Sequence, residues 1–332
     1  MSETVLVTGG SGYIALFCIV KLLREGYRVR TTVRKLSRKD QVLKAVRNSG
    51  LAVGDAEIEF VEADLSSDNG WSDAVKGCKY ILHVASPVPP FPPKPNQDDE
   101  EEVIRPAVDG TIRVLKAARD DTNVKRVVLT SSNAAIGYGK ASENLGRPLT
   151  EEDWTIIDET CSAYVKSKVI AEKSAWDFIE KESSGKLELV VVNPTAVFGP
   201  LLSTELSASI DIVKNVIKGI QTYPPISFGV VDVRDVADIH YLAMITEEAK
   251  GNRFLTISSD KYTTMSHIAN IIKENIPEIS HNITPPPIHP DQIILTKSAS
   301  NEKAKKLLGW NPRPAAESIL DSAKSLVSFN LL

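Results

Sequence analysis

Cysteine is scarce in this chain and dispersed. Cys18, Cys78 and Cys161 are odd in number and far apart, with no C-x-x-C pair, which excludes a disulfide framework and leaves a reducing compartment as the expectation. The five histidines show no metal-ligand spacing, so no metal site is expected. No apolar run approaches the ~20 residues that span a bilayer. From Met1 the chain passes within a few residues into an apolar run ending in glycines, without the layout of a signal peptide. No basic tract stands out and the net charge is −4, which argues against a nucleic-acid or anionic-membrane partner. The expectation is a cytoplasmic protein with no nucleic-acid and no membrane partner. Its 332 residues leave room for one large domain or two, with ample core.

What is present centres on Ser162-Ala163-Tyr164-Val165-Lys166-Ser167-Lys168, inside a long helical pattern. Four residues make about one helical turn, so Tyr164 and Lys168 share a face. An ammonium beside a phenol favours the phenolate, so Tyr164 can exchange a proton near neutrality although a free phenol has a pKa of ~10. That fits a general acid for an oxyanion. A Tyr and a Lys at this spacing also occur on ordinary exposed helices, and a second motif is needed to give the pair weight.

The N-terminus supplies it. Val5-Leu6-Val7-Thr8 reads as a buried strand, followed by Gly9-Gly10-Ser11-Gly12-Tyr13-Ile14-Ala15 and an amphipathic helix ending near Gly26. Strand, glycine turn and helix form the context of a dinucleotide fingerprint. Gly9 allows the turn, Gly12 lets a pyrophosphate approach the backbone, and the helix start offers N–H groups. After the second strand, Arg28 to Val33, comes Arg34-Lys35, with Arg38 and Lys39 beyond and no carboxylate before Asp40. A cation there suits the 2′-phosphate of NADPH; an acidic residue would suit NAD.

Further strands are read at Glu57 to Val61, Lys79 to Val84, Val127 to Leu129 and Leu187 to Val192, in alternation with helices. That order predicts an α/β doubly wound parallel sheet. Asp64, just past the third strand, either accepts from an adenine amino group or caps the helix starting near Trp71. His83 reads as a hydrogen-bonded core histidine. The proline-rich stretch from Pro87 to Pro95 reads as an extended loop beside the cofactor end of the sheet, and the acidic run from Asp98 to Glu102 as a helix start. Ser132 stands at the C-terminal end of the fifth strand, where ligands bind in open parallel sheets. Beyond Asn193-Pro194 the pattern loosens. A helix is expected near Ser209 to Lys218, another that Val231-Asp232-Val233-Arg234-Asp235-Val236-Ala237 leads into, a strand at Phe254 to Ile257, and short helices at Thr264 to Glu274 and Asn301 to Leu308. The expected division is a nucleotide-binding domain over 1–192, rejoined by 230–258, with a substrate-binding lobe over 193–229 and 259–332.

These motifs resemble the extended short-chain dehydrogenase/reductases along nearly the whole chain. The branch most resembled holds dihydroflavonol 4-reductases, cinnamoyl-CoA reductases and yeast-type NADPH-dependent carbonyl or methylglyoxal reductases. The resemblance rests on Thr8 to Ala15, Thr32-Val33-Arg34, His83 to Pro87, Val103 to Thr111 and Leu129 to Ser132. Tyr164 with Lys168, Asn193-Pro194 and Val231 to Ala237 complete it. It implies a Rossmann doubly wound parallel sheet with a smaller C-terminal substrate-binding lobe. It also implies reduction of a small-molecule ketone or aldehyde by NADPH, in a monomer or homodimer. Ser132 would polarise the carbonyl, Tyr164 would donate the proton, and Lys168 would lower the tyrosine pKa while holding the nicotinamide ribose. Cofactor contacts would come from Gly9, Gly10, Ser11, Gly12, Tyr13, Ile14, Arg34, Asp64, Leu65, Ala85, Pro194 and Val197, with Arg38, Lys39 and Ser209 as further candidates. Asn133, Cys161 and Phe198 would line a mostly apolar substrate pocket.

Two departures bear on the substrate. Gly137 stands where plant dihydroflavonol reductases carry an Asn, and Cys161-Ser162-Ala163-Tyr164 replaces the Asn-Trp-Tyr-Cys-Tyr run of the cinnamoyl-CoA enzymes. Both count against those two substrates. Two other readings share the fold: a nucleotide-sugar epimerase or dehydratase, and a non-catalytic NADP-sensing regulator. Arg34 speaks against the first, and retention of Ser132, Tyr164 and Lys168 against the second.

Overall fold

The short apolar runs become strands because their side chains are buried on both faces of one sheet. Val5 and Val7 pack into one core cluster and Leu6 into another. The same alternation places Tyr80 and Leu82 on one face and Ile81 on the other, as the two-residue period of a strand requires. A computed structural model describes residues 3–54, 57–87, 99–142, 145–220, 227–258, 262–283 and 297–332. The loop expected through Pro95 (from residue 88 on), the turn at 223–225 and the proline-rich stretch at 285–290 fall outside the described residues.

In chain order the first half comprises β1 (Thr4–Val7), α1 (Tyr13–Arg24), β2 (Arg28–Val33), α2 (Lys39–Asn48), β3 (Ile58–Glu62), α3 (Trp71–Val75), β4 (Tyr80–His83), α4 (Arg105–Asp120), β5 (Arg126–Thr130), α5 (Ala163–Glu182) and β6 (Glu188–Pro194). There follow β7 (Ala196–Phe198), α6 (Ala208–Lys218), β8 (Val230–Asp232), α7 (Val233–Ile245), β9 (Arg253–Thr256), α8 (Met265–Asn275), α9 (Glu302–Leu308) and α10 (Ala315–Ser328). The main sheet has the order β3-β2-β1-β4-β5-β6-β9, and every pairing is parallel. This is the expected doubly wound sheet. Its strand order reverses between β1 and β4, so a crevice opens beyond their C-terminal ends.

Three local features go beyond the sequence reading. Pro106 has no N–H to donate, and the expected helix start is a wide π-type turn over Glu100–Ile104 before α4 tightens. Val231 and Asp232 lead into the expected helix, with Asp232 as the N-cap of α7, but first form a strand: β8 pairs with β7 in a separate two-stranded sheet. The helix α10 was not anticipated. Its buried residues Ala315, Ile319, Ala323 and Leu326 recur at helical spacing and close a third core cluster with α6 and α8. Among the described residues no helix is long and apolar enough to cross a membrane.

Candidate active site

The crevice at the sheet reversal is shaped by the glycine turn. Gly9 has φ +72, a left-handed conformation that glycine adopts at no steric cost. A side chain there would meet the Ala85 Cβ at 3.0 Å, so β1 and β4 approach closely at this point. The Thr8 hydroxyl accepts from the Val84 and Ala85 amides at 3.0 and 2.9 Å, and its proton therefore points to His83 Nδ1, 2.9 Å away. Burial, with a smaller contribution from the Lys168 charge, pushes His83 down to about 3. It is a hydrogen-bonded core histidine, as expected.

Gly10 is dictated by packing, because a Cβ there would lie 2.2 Å from the Thr31 hydroxyl. Gly12 begins α1 with no side-chain cap, and no acidic residue stands in the first turn. The helix start therefore keeps orphan N–H groups and a partial positive charge, which fits a pyrophosphate. Ser11 and Ile14 lie half-buried at that turn. The Tyr13 ring packs edge-on against Phe17, and its hydroxyl is buried.

Beyond β2 the two arginines differ. Arg34 is exposed and makes no hydrogen bond or ion pair among the described residues. Arg38 bonds to Gln41 Oε1 at 3.0 Å and pairs with Glu205, while Lys39 lies over the Phe60 ring. Asp64 does not cap the next helix: Gly70 occupies that position, and Asp64 instead accepts from the Ser66 amide and hydroxyl at 2.8 and 2.6 Å. The Ser66 bonds, with weaker help from Arg34, hold its carboxyl below the usual range. Leu65 packs under Gly110.

The chemistry-bearing residues lie at the ends of β5 and β4 and along α5. The Ser162 hydroxyl accepts from the Val165 amide at 3.3 Å and caps α5, which places Tyr164 in the first turn and Lys168 one turn on. The Tyr164 and Ser132 hydroxyls are 3.4 Å apart. Ser132 Oγ also accepts from the Ala134 amide at 3.0 Å, leaving its own proton to donate. An O···O separation of 3.4 Å is longer than a good hydroxyl bond, so a third oxygen can accept from both groups. Lys168 is only 7% exposed; its Nζ lies 5.7 Å from the Tyr164 ring centroid and donates to Ser86 Oγ at 2.9 Å. Thus Ser132, Tyr164, Lys168 and the cofactor end of β4 are brought together.

The remaining expected residues divide. Pro194 ends β6, and the Val197 amide donates to the Ser209 hydroxyl at 3.2 Å. Asn133 Nδ2 donates to the Tyr262 hydroxyl at 3.4 Å; burial pushes Tyr262 up to about 12. Cys161 is buried beneath Tyr164 with Ala134, Ala135, Val165 and Val169. Phe198 is a correction: it is fully buried in the third core cluster, edge-on to Phe228, and presents no surface to a ligand. Three residues near the site escaped the sequence reading. Ser86 could have been found as a hydroxyl at the end of β4, and Glu172 as a carboxylate one turn past Lys168. Tyr262 had no signal, because its loop position says nothing of where the chain returns. Among the described residues no cluster of His, Cys, Asp or Glu is placed to hold a metal ion.

Comparison with known proteins gives the family and the fold. The family model described as NAD dependent epimerase/dehydratase matches residues 5–257. The cinnamoyl-CoA reductase of Medicago truncatula is 33% identical, over 98% of this chain and 96% of its own. An NADPH-dependent methylglyoxal reductase of Saccharomyces cerevisiae is also 33% identical, over 98% of each chain. The crystal structure of a yeast methylglyoxal/isovaleraldehyde reductase complexed with NADPH superposes with a TM-score of 0.84 at 30% identity, over 99% of both chains. By its fold, its glycine turn and these relationships, the chain belongs to the NAD dependent epimerase/dehydratase family.

Proposed function

We propose that this protein is an NADPH-dependent reductase that converts ketones and aldehydes to alcohols. The observation that carries the reading is the pair of hydroxyls on Ser132 and Tyr164, 3.4 Å apart, with Lys168 one turn along the same helix. NADPH, when bound, supplies the hydride. The residues of the chain do the rest. The Ser132 proton and the Tyr164 hydroxyl converge on the substrate oxygen and hold the carbonyl in place. As negative charge develops on that oxygen, these two donors stabilise it, and Tyr164 passes its proton to the alkoxide. Lys168 places a positive charge beside the tyrosine and, held by Ser86, is positioned for the nicotinamide ribose.

The uncapped start of α1 with Gly9 to Ile14 would hold the pyrophosphate, and Arg34 the 2′-phosphate. Asp64, Leu65, Ala85, Pro194 and Val197 would flank the adenosine and nicotinamide ends, with Arg38, Lys39 and Ser209 at the margins. Asn133, together with Tyr262, and Cys161 beneath Tyr164 would shape the carbonyl pocket. The lobe over 193–229 and 259–332 would cover it.

The test is NADPH oxidation with an aliphatic 2-oxoaldehyde, a β-keto ester, an aryl ketone, a dihydroflavonol and a nucleotide sugar, each repeated with NADH. Turnover of small or aryl carbonyls with NADPH favoured supports the reading. Conversion of the nucleotide sugar alone would overturn it.

A further inference from the structure

Glu172 lies on α5 one turn beyond Lys168 and two beyond Tyr164, and its side chain is 0% exposed. A carboxylate so deeply buried must have its oxygens satisfied. Oε2 accepts from the Ser131 hydroxyl at 2.5 Å and from Asn193 Nδ2 at 2.8 Å. Oε1 accepts from Arg253 Nε at 2.6 Å. Asn193 Nδ2 also donates to the Ser132 carbonyl at 3.2 Å. One carboxylate on α5 is thus tied to the residue before Ser132 and, through Asn193, to the backbone of Ser132 itself. The same carboxylate and Ser131 line a small cavity with Lys168 and Ser86.

Behind it, Arg253 on β9 donates to the Glu151 and Asp153 carbonyls, both at 2.8 Å, and stacks on Trp154 at 3.7 Å. The hub therefore joins α5, the ends of β5 and β6, β9 and the 151–154 loop. A well-packed hydrophobic pair fills such a space with less desolvation cost than an ion pair. What a hydrophobic pair lacks is a grip on Ser131 and Asn193, the two groups that flank Ser132.

We propose that Glu172 is a positioning residue for the reduction: through Ser131 and Asn193 it fixes the distance between the Ser132 and Tyr164 hydroxyls. The proposal rests on the reductase reading above, and it concerns the geometry of that site. An error of about 1 Å in such a constellation costs roughly 100-fold in rate.

The decisive variant is Ser131→Ala, which removes one arm and leaves the Glu172–Arg253 pair intact, so the fold survives. Turnover is measured per folded site, counted by NADPH binding, and the variant's crystal structure gives the Ser132–Tyr164 separation independently of activity. The expected result is a fall in kcat of about 10–100-fold with NADPH affinity within about two-fold, a shifted separation, and recovery of most turnover in Ser131→Thr. Glu172→Gln is expected to fall at least as far. Wild-type kcat with an unchanged separation overturns the proposal, and so does a loss of turnover with the separation unchanged. If the wild-type protein reduces no carbonyl, the reductase reading fails, and the separation alone decides whether Glu172 positions Ser132.

Discussion

Tyr164 and Ser132 come from elements 32 positions apart in the chain, yet their hydroxyls face each other at 3.4 Å. They meet because β5 ends where α5 begins its run along the sheet, and because Ser162 caps α5 so that Tyr164 falls in its first turn. At this spacing one oxygen seated beside both hydroxyls can accept from each.

Arg34 is the expected reader of the 2′-phosphate. It is exposed and makes no hydrogen bond or ion pair among the described residues, whereas Arg38 is engaged by Gln41 and Glu205. Arg34→Ala is expected to raise KM for NADPH by about 10-fold or more, in line with loss of a charge-assisted bidentate contact, and to leave KM for NADH nearly unchanged. Arg38→Ala is expected to do less. Steady-state kinetics with both cofactors checks this, and equal effects on NADPH and NADH would remove Arg34 from the role.

Ser86 is expected to hold Lys168. Ser86→Ala removes the acceptor 2.9 Å from Nζ while leaving the lysine buried. A drop of about 10-fold in kcat with an unchanged melting temperature is expected, as the freed ammonium loses its orientation. Turnover equal to wild type would show that the lysine is held without Ser86.

A stability prediction concerns the other end of the sheet. Arg126 is fully buried, pairs with Glu188 at 2.7 Å and donates to the Ala243 and Met244 carbonyls at 3.0 Å, capping the end of α7. Glu188→Ala removes the buried carboxylate and leaves the guanidinium only a long contact to the exposed Glu247 at 3.8 Å, so a loss of about 3 kcal/mol is expected in denaturant unfolding. Because Arg126 starts β5 and the active site lies at the opposite end of the strand, kcat should not change.

His240 gives a pH dependence. Its Nε2 lies 2.7 Å from the Thr130 hydroxyl and its Nδ1 2.7 Å from the Val236 carbonyl. Burial pushes it from 6.5 down to about 4, against a smaller opposing effect of the Val236 bond. The folded protein holds this histidine neutral while the unfolded chain takes up a proton below about 6.5. The contribution is therefore complete above that pH and lost as pH falls towards about 4, amounting to about 3 kcal/mol. Asp235, pushed up to about 6 mainly by burial, works in the opposite sense, so the wild-type curve must be read against His240→Gln. The variant's melting temperature should fall less steeply between pH 6.5 and 4; parallel curves would contradict the assignment.

Local signals were legible wherever chain neighbours carry the structure. The glycine turn, the seven strands of the main sheet and the Tyr164–Lys168 spacing all follow from residues close together in the sequence. Where the reading missed a side chain's surroundings in the core, the partner arrives from far along the chain. Asp64 carried two readings, an adenine acceptor or a helix cap; Gly70 takes the cap position, while Asp64 is held locally by Ser66. Phe198 looked like a pocket residue until Phe228 and the helices behind it enclosed the ring. Glu172 carried a usable signal in its place on the Tyr164–Lys168 face, but Arg253, Asn193 and Ser131 reach it from three separate strands. The helix α10 was missed although its signal is local, in the spacing of Ala315, Ile319, Ala323 and Leu326.

The most direct test of the account is Tyr164→Phe, assayed for NADPH binding by fluorescence and for carbonyl reduction by the loss of NADPH absorbance. Removing the proton donor is expected to cost about 10²–10⁴ in kcat while NADPH affinity stays within about two-fold. Turnover near wild type would contradict the assignment of Tyr164 as the acid that protonates the alkoxide.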